Sequence, residues 1–315
     1  KIVVLGGGTG LSVLLRGLKQ FPLDITAIVT VADDGSSSGR LREEFDIFAV
    51  GDLRNVLVSL SEVEPLIEDL LQYRFVTDSS LNNHPMGNLL LTALYNITGN
   101  LTESLRSLSK IFNIKGTILP FTEENPVLIA HTTDGKIIEG ESNITKAGKE
   151  IDYIEYKNEV KPTKEVIKAI DEADLIIFGI GSLYTSIIPN LLSKEVVESL
   201  KNSKAKKMYV CNIMSEHGET DNYKVSDCIK KINSYVKEDL MDVVVVNNKK
   251  VPDDIKERYL GEIAGQIDID YDVLNDMNVE IIEDELLYIS EKKKVRHDPY
   301  RTALAIFNYI VKELK

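Results

Sequence analysis

Ile2-Val3-Val4-Leu5-Gly6-Gly7-Gly8-Thr9-Gly10-Leu11-Ser12-Val13-Leu14-Leu15-Arg16-Gly17-Leu18 reads as strand, turn and helix, and it decides the fold class. Residues 2–5 are an unbroken apolar run, as a strand buried on both faces requires. Leu11, Leu14, Leu15 and Leu18 then recur at helical spacing and make one apolar stripe. The same alternation returns along the chain. Ile25–Val31 is a second strand, ending in Asp33-Asp34-Gly35-Ser36-Ser37-Ser38-Gly39-Arg40-Leu41-Arg42. Gly51-Asp52 opens a helix with Leu53, Val56, Leu57 and Leu60 inward, and Pro65 and Thr102 mark two further helix starts. Leu175–Phe178, Met208–Asn212 and Val243–Val246 are later strands. Asp298-Pro299 starts a last helix expected to bury Leu304, Phe307, Val311 and Leu314. Val127–Thr133 and Lys136–Glu139, joined at Asp134-Gly135, read as a hairpin within a β-rich insertion over 114–160. The expected architecture is a three-layer, doubly wound α/β domain spanning 1–315, with a mainly parallel sheet.

Composition narrows the function. The 315 residues carry 37 Lys and Arg against 50 Asp and Glu, a formal charge of −13, which argues against nucleic acid or an anionic membrane surface as partner. No apolar run approaches the roughly 18 to 20 residues needed to span a bilayer. No apolar segment with a small-residue cleavage site follows Lys1, so a cytoplasmic protein is expected. Cys211 and Cys228 form no Cys-x-x-Cys and read as reduced structural thiols.

In a doubly wound sheet, ligands bind beyond the carboxyl ends of the strands, and the polar glycine-rich segments of this chain all fall there. Gly7, Gly8, Thr9 and Gly10 let backbone N–H groups and a helix N-terminus approach an anion. Leu11 breaks the dinucleotide fingerprint, and no Gly-Lys-Ser/Thr is present, so the loop supports phosphate binding without naming the ligand. Asp33 and Asp34 suit a magnesium ion or ligand hydroxyls, while Ser36, Ser37 and Arg40 suit phosphate oxygens. Asp52 fits an N-cap, with Arg54 and Asn55 beside it in the first helical turn. His84 and Asn88 open another helix; each is as readily structural as ligand-binding. Gly179, Gly181 and Ser182 repeat the strand–glycine–hydroxyl pattern, and Asn212 with Thr220 and Asp221 follows as a lid or base-reading loop. Arg296 and Arg301 are two late cations that reach a phosphate only if the chain folds back. Asp33, Asp34, His84 and Asp221 are candidate general bases, with Asp33 and Asp34 the expected catalytic pair if the protein is an enzyme, and no spacing singles one out.

Taken together, GGGTGLSVLLRGL (6–18), ITAIVTVADDGSSSGRLR (25–42), GDLRN (51–55), QYRF (72–75), GNLLL (87–91), ADLIIFGIGSLYTSIIPNLL (173–192) and GETDNY (218–223) resemble the YvcK family of gluconeogenesis factors, within the CofD superfamily. The resemblance implies a Rossmann-like fold and a nucleotide or nucleotide-sugar ligand, with UDP-sugars such as UDP-N-acetylglucosamine expected. It also implies a role in cell shape and cell-wall supply on gluconeogenic carbon. It casts Gly7–Gly10 and Gly179–Ser182 as phosphate-side loops, Asp33 and Asp34 as a metal- or acceptor-holding pair, and Asn212 with 218–222 as part of the nucleotide pocket. CofD itself moves a phospholactyl group from a guanosine diphosphate adduct to a deazaflavin alcohol with magnesium. The chain departs from YvcK relatives at Ile180, where proline is usual, at Ser215-Glu216-His217, where Thr-Gln-Pro is usual, and at Asp33-Asp34-Gly35-Ser36, where Asp-Asn-Gly-Gly is common. Two readings follow. One is a nucleotide-sugar-binding regulator, acting as a homo-oligomer through an envelope-synthesis or signalling protein. The other is a CofD-type transferase, which the 7% aromatic content and absence of Trp disfavour.

Overall fold

The computed structural model describes residues 1–62, 65–261 and 263–313. Seven strands build one parallel sheet: β1 (Ile2–Gly6), β2 (Ile25–Val29), β3 (Thr117–Pro120), and, after an antiparallel excursion through β4 (Leu128–Thr132), β5 (Ile137–Glu139) and β6 (Ile151–Tyr156), the strands β7 (Leu175–Phe178), β8 (Lys206–Val210), β9 (Val243–Asn247) and β10 (Glu280–Asp284). Their order is β10-β9-β8-β7-β1-β2-β3, and every pairing is parallel. A short hairpin, β11 (Leu287–Ile289) with β12 (Val295–His297), follows.

Successive side chains alternate between two separate cores, one on each face, as the period of a strand demands. Val3, Leu5, Ile28, Ile176, Phe178 and Tyr209 enter one. Ile2, Val4, Ala27, Val29, Ile177 and Met208 enter the other. The second face is covered by helices Gly8–Leu18, Gly51–Leu60, Leu101–Ile111 and Pro299–Glu313. The first is covered by helices Lys164–Asp171, Lys194–Asn202 and Val225–Val236 and by the small sheet, whose Leu128, Ala130 and Ile154 join that core. Cys211 and Cys228 are free and buried there. Among the described residues, no helix is long and apolar enough to cross a membrane.

Two expectations change. The stretch 114–160 is not all insertion: β3 pairs with β2 inside the main sheet, so the antiparallel unit is the β4–β6 segment, in order β5-β4-β6. A short, locally ambiguous run such as β3 takes its sheet from tertiary pairing rather than from its own pattern. The last helix is also turned from its expected stripe. Leu304 and Val311 are exposed, while Ala303, Ile306 and Tyr309 are buried; Leu314 lies outside the described residues. The close approach at Gly17, where a Cβ would meet Pro299 O at 1.9 Å and Ala303 Cβ at 2.8 Å, turns the Ala303 side of the helix inward.

Candidate functional site

Chain order runs outward in opposite directions from the β1–β7 pair, β2 and β3 on one side and β8 to β10 on the other. That pair is the topological switch point, where connections diverge and leave a crevice. A cavity of about 500 Å³ opens there, lined by Gly7, Gly8, Thr9 and Gly10 from one side and by Gly181, Ser182 and Asn212 from the other. The two glycine loops touch: at Gly10 a Cβ would stand 2.3 Å from Ile180 O, so only glycine permits the approach.

Gly8, at φ +67°, starts the helix Gly8–Leu18. Its N–H does not wait for a ligand. It donates to Oδ2 of Asp52 at 2.6 Å. The expectation that Asp52 caps its own helix is therefore corrected. Val50 holds the N-cap position, and the carboxylate reaches across to the first glycine loop. Desolvation, then the charge of Asp33, pushes Asp52 up to about 7. Thr9, exposed in the first turn, leaves the helix N-terminus facing the cleft.

The second loop is closed by a residue that the sequence did not single out. The Ser182 hydroxyl and the Tyr184 N–H both donate to Oε2 of Glu219, the latter at 3.0 Å. Burial, then the charge of Glu216, raises Glu219 to about 7. Asn212 Nδ2 donates to Gly181 O at 2.9 Å and fixes the loop from β8. Thr220 and Asp221 organise their own loop instead of lining the cleft. Thr220 Oγ1 accepts the Glu216 N–H at 2.9 Å, and Asp221 Oδ2 accepts from Gly218 N at 2.8 Å and lies 3.1 Å from His217 Nδ1.

The far end of the cavity is apolar, made by Ile213, Met214, Val295 and Tyr259, and is flanked by Arg296 and His297. His297 Nε2 donates to Cys211 O at 3.1 Å, and burial lowers its pKa to about 4, so it is neutral. Of the two late cations, Arg296 lines the cleft. Arg301 is exposed and turned to Glu285, with Nη1 3.3 Å from its carbonyl oxygen, which corrects its assignment as a ligand residue.

The remaining candidates form a second ensemble beyond β2. Asn88 Nδ2 donates to Ser37 Oγ at 3.1 Å, and Ser37 lies 2.8 Å from Nδ1 of a buried His84 whose pKa desolvation lowers. Arg40 binds the carbonyls of Ser80 and Asn82, and Arg54 donates to Asn55 Oδ1 at 2.6 Å. Arg54 Nε and Asn88 Oδ1 are buried without partners. Ser36, at φ +46°, is exposed. Asp33 Oδ1 accepts from Gly35 N at 2.9 Å, whereas Asp34 Oδ1 accepts the Ser142 N–H of the insertion at 2.8 Å. The pair thus splits. Asp34 pins the insertion, and nearby Glu141 is pushed up to about 8 by desolvation and by Asp33, Asp52, Asp34 and Glu219. Among the described residues, no group of three or more His, Cys, Asp or Glu is set to hold a metal ion.

The geometry defines a Rossmann-like α/β protein with a phosphate-compatible cleft at its switch point. The chain belongs to the YvcK, CofD-like family: the family model described as 2-phospho-L-lactate transferase CofD matches residues 2–287. It is 47% identical over 304 residues to a protein of Bacillus subtilis named gluconeogenesis factor, covering 96% of each chain. It is 42% identical to a putative gluconeogenesis factor of Thermotoga maritima, covering 96% of this chain and 97% of that one. A crystal structure of a Bacillus halodurans protein, 45% identical, superimposes with a TM-score of 0.93 over 97% of this chain and 98% of that one.

Proposed function

We propose that this protein is a gluconeogenesis factor that binds a nucleotide sugar of the UDP-N-acetylglucosamine class and acts as a regulator of cell-wall supply and cell shape on gluconeogenic carbon. The observation that carries the reading is the switch-point cavity, polar at its glycine loops and apolar at its far end. Its volume of about 500 Å³ lies within the range of small-molecule sites. In this reading the diphosphate meets the Thr9–Gly10 end of the helix, since the Gly8 N–H is engaged by Asp52, and Arg296 supplies the opposing cation. The base lies against Met214, Val295 and Tyr259, and Asn212 borders the sugar–phosphate path. The name carried by the relatives and the family membership support the same reading. The regulatory output passes to an envelope-synthesis or signalling protein, with the chain acting as a homo-oligomer in the cytoplasm.

One observation favours a second reading, a CofD-type transferase. Asn88, whose Oδ1 is unpartnered, lies with Ser37 and His84, and Arg54, whose Nε is unpartnered, feels the charge of Asp33; both groups suit an acceptor. Calorimetric titration with UDP-N-acetylglucosamine, GDP and NAD, each with and without magnesium, separates the two. Micromolar binding of the UDP-sugar without magnesium is the expected result. Preference for GDP with magnesium overturns the regulator in favour of the transferase.

A further inference from the structure

The second glycine loop reads in sequence as a phosphate seat, yet its donors are already engaged by the protein itself. The Ser182 hydroxyl and the Tyr184 N–H converge on one oxygen of Glu219, a side chain buried in the wall of the cleft. A ligand phosphate cannot use those donors unless Glu219 leaves. We propose that Glu219 is the residue that fixes the charge of ligand the cleft accepts, taking up a proton as an anionic nucleotide sugar enters. The inference rests on the nucleotide-sugar reading of the same cavity.

Electrostatics determine the direction. Glu216 faces Glu219 from its own loop and raises its pKa, and Glu141 of the insertion feels the Glu219 charge. His217 and Asp221 pair with each other on that loop. Across the cleft stand Arg296, whose charge acts on Glu216, and a neutral His297. Ser182 and Tyr184 are the groups that stabilise the ionised form. Desolvation already holds Glu219 at the edge of ionisation near neutrality. A diphosphate brought into the same low-dielectric cavity favours the neutral carboxyl further, so binding takes up a proton and weakens as pH rises. In neutral form Glu219 keeps an oxygen for the Tyr184 N–H, so the loop geometry survives the proton.

UDP-N-acetylglucosamine is a clean probe because its diphosphate diester carries no group that titrates near neutrality. For the wild-type protein, affinity is expected to fall about tenfold between pH 6 and pH 8, with proton uptake seen by calorimetry in two buffers of different ionisation enthalpy. Glu219→Gln, which keeps the acceptor and removes the ionisation, is expected to lose most of the pH dependence and most of the proton uptake, the remainder coming from Asp52 at the other glycine loop. Glu216→Gln, which removes a charge that raises Glu219, is expected to keep the pH dependence but move it to lower pH, and uridine, without phosphates, to show none. A wild-type affinity that does not change with pH, or a Glu219→Gln profile that copies the wild type, overturns the inference while leaving the ligand reading intact. Failure of the UDP-sugar to bind at any pH overturns both.

Discussion

Replacing Asp52 by Asn is expected to stabilise the protein above neutral pH, although it touches a candidate ligand site. In the folded chain Asp52 ionises at about 7, against 3.8 for the unperturbed group, because desolvation and Asp33 disfavour the charge more than the Gly8 N–H favours it. Below the lower value both states are protonated and the group contributes nothing to the pH dependence. Between the two values the unfolded chain loses its proton and the folded chain does not, so stability declines as pH rises. Above about 7 the decline levels off. A gap of about 3 units at 1.36 kcal/mol each sets an upper limit of about 4 kcal/mol on this cost. Asn at position 52 keeps an oxygen for the Gly8 N–H and can turn its amide toward Asp33, so the cost disappears without loss of the loop contact. Urea denaturation of wild type and Asp52→Asn at pH 5 and pH 8 tests this. The variant is expected to gain about 1 to 3 kcal/mol relative to wild type on going from pH 5 to pH 8, because only the part of the window between pH 5 and about 7 is crossed. Parallel pH profiles for the two proteins would refute the reasoning, since they would mean that Asp52 ionises alike in both states.

Three further outcomes follow from the same geometry. Arg296→Ala is expected to weaken UDP-sugar binding about tenfold or more, the value of one charge-assisted contact, while Arg301→Ala leaves the calorimetric Kd unchanged. Gly10→Ala forces a methyl group against Ile180 O, and is expected to lose about 1–3 kcal/mol of stability in denaturant melts together with ligand affinity. Ile306→Ala is expected to destabilise by about 2–5 kcal/mol, and Leu304→Ala by under about 0.5 kcal/mol; the reverse order would restore the face expected from sequence.

The elements that sequence reading located are those whose reason is local. The apolar run 2–5, the stripe at Leu11, Leu14, Leu15 and Leu18, and the Asp134-Gly135 turn each satisfy a backbone requirement within a few residues. The cleft is not local. Nothing in Leu175–Phe178 says that this strand lies against β1, yet that pairing brings the two glycine loops together. The same limit explains the misjudged residues. Asp52 looks like a cap because capping is a short-range act, but its partner Gly8 is on another element. Arg296 and Arg301 are five positions apart and chemically alike, and only the hairpin β11–β12 decides which one faces the cavity. Glu219 sits in a polar run that reads as a lid or base-reading loop without singling it out, and its burial against Ser182 and Tyr184 exists only in the folded chain.

Both glycine loops are thus met by carboxylates of the chain itself, Asp52 at Gly8 and Glu219 at Ser182 and Tyr184, and each carboxyl is shifted toward neutrality by its setting. A fold selected for stability alone has no use for this, because a neutral amide makes the same contacts without the desolvation cost. Charge at those two positions is therefore best explained by what enters between them. Held by internal acceptors, the loops keep their shape without waiting for a ligand, which lowers the ordering cost of binding. In the proposed reading the same acceptors restrict where a diphosphate sits, leaving it the Thr9–Gly10 end of the helix and Arg296. A ligand lacking that compact charge, such as a neutral nucleoside, gains nothing from either group. In the proposed reading, discrimination for a charged nucleotide sugar over its uncharged fragment comes from the helix end and Arg296, while the two carboxyls set the pH at which that discrimination operates.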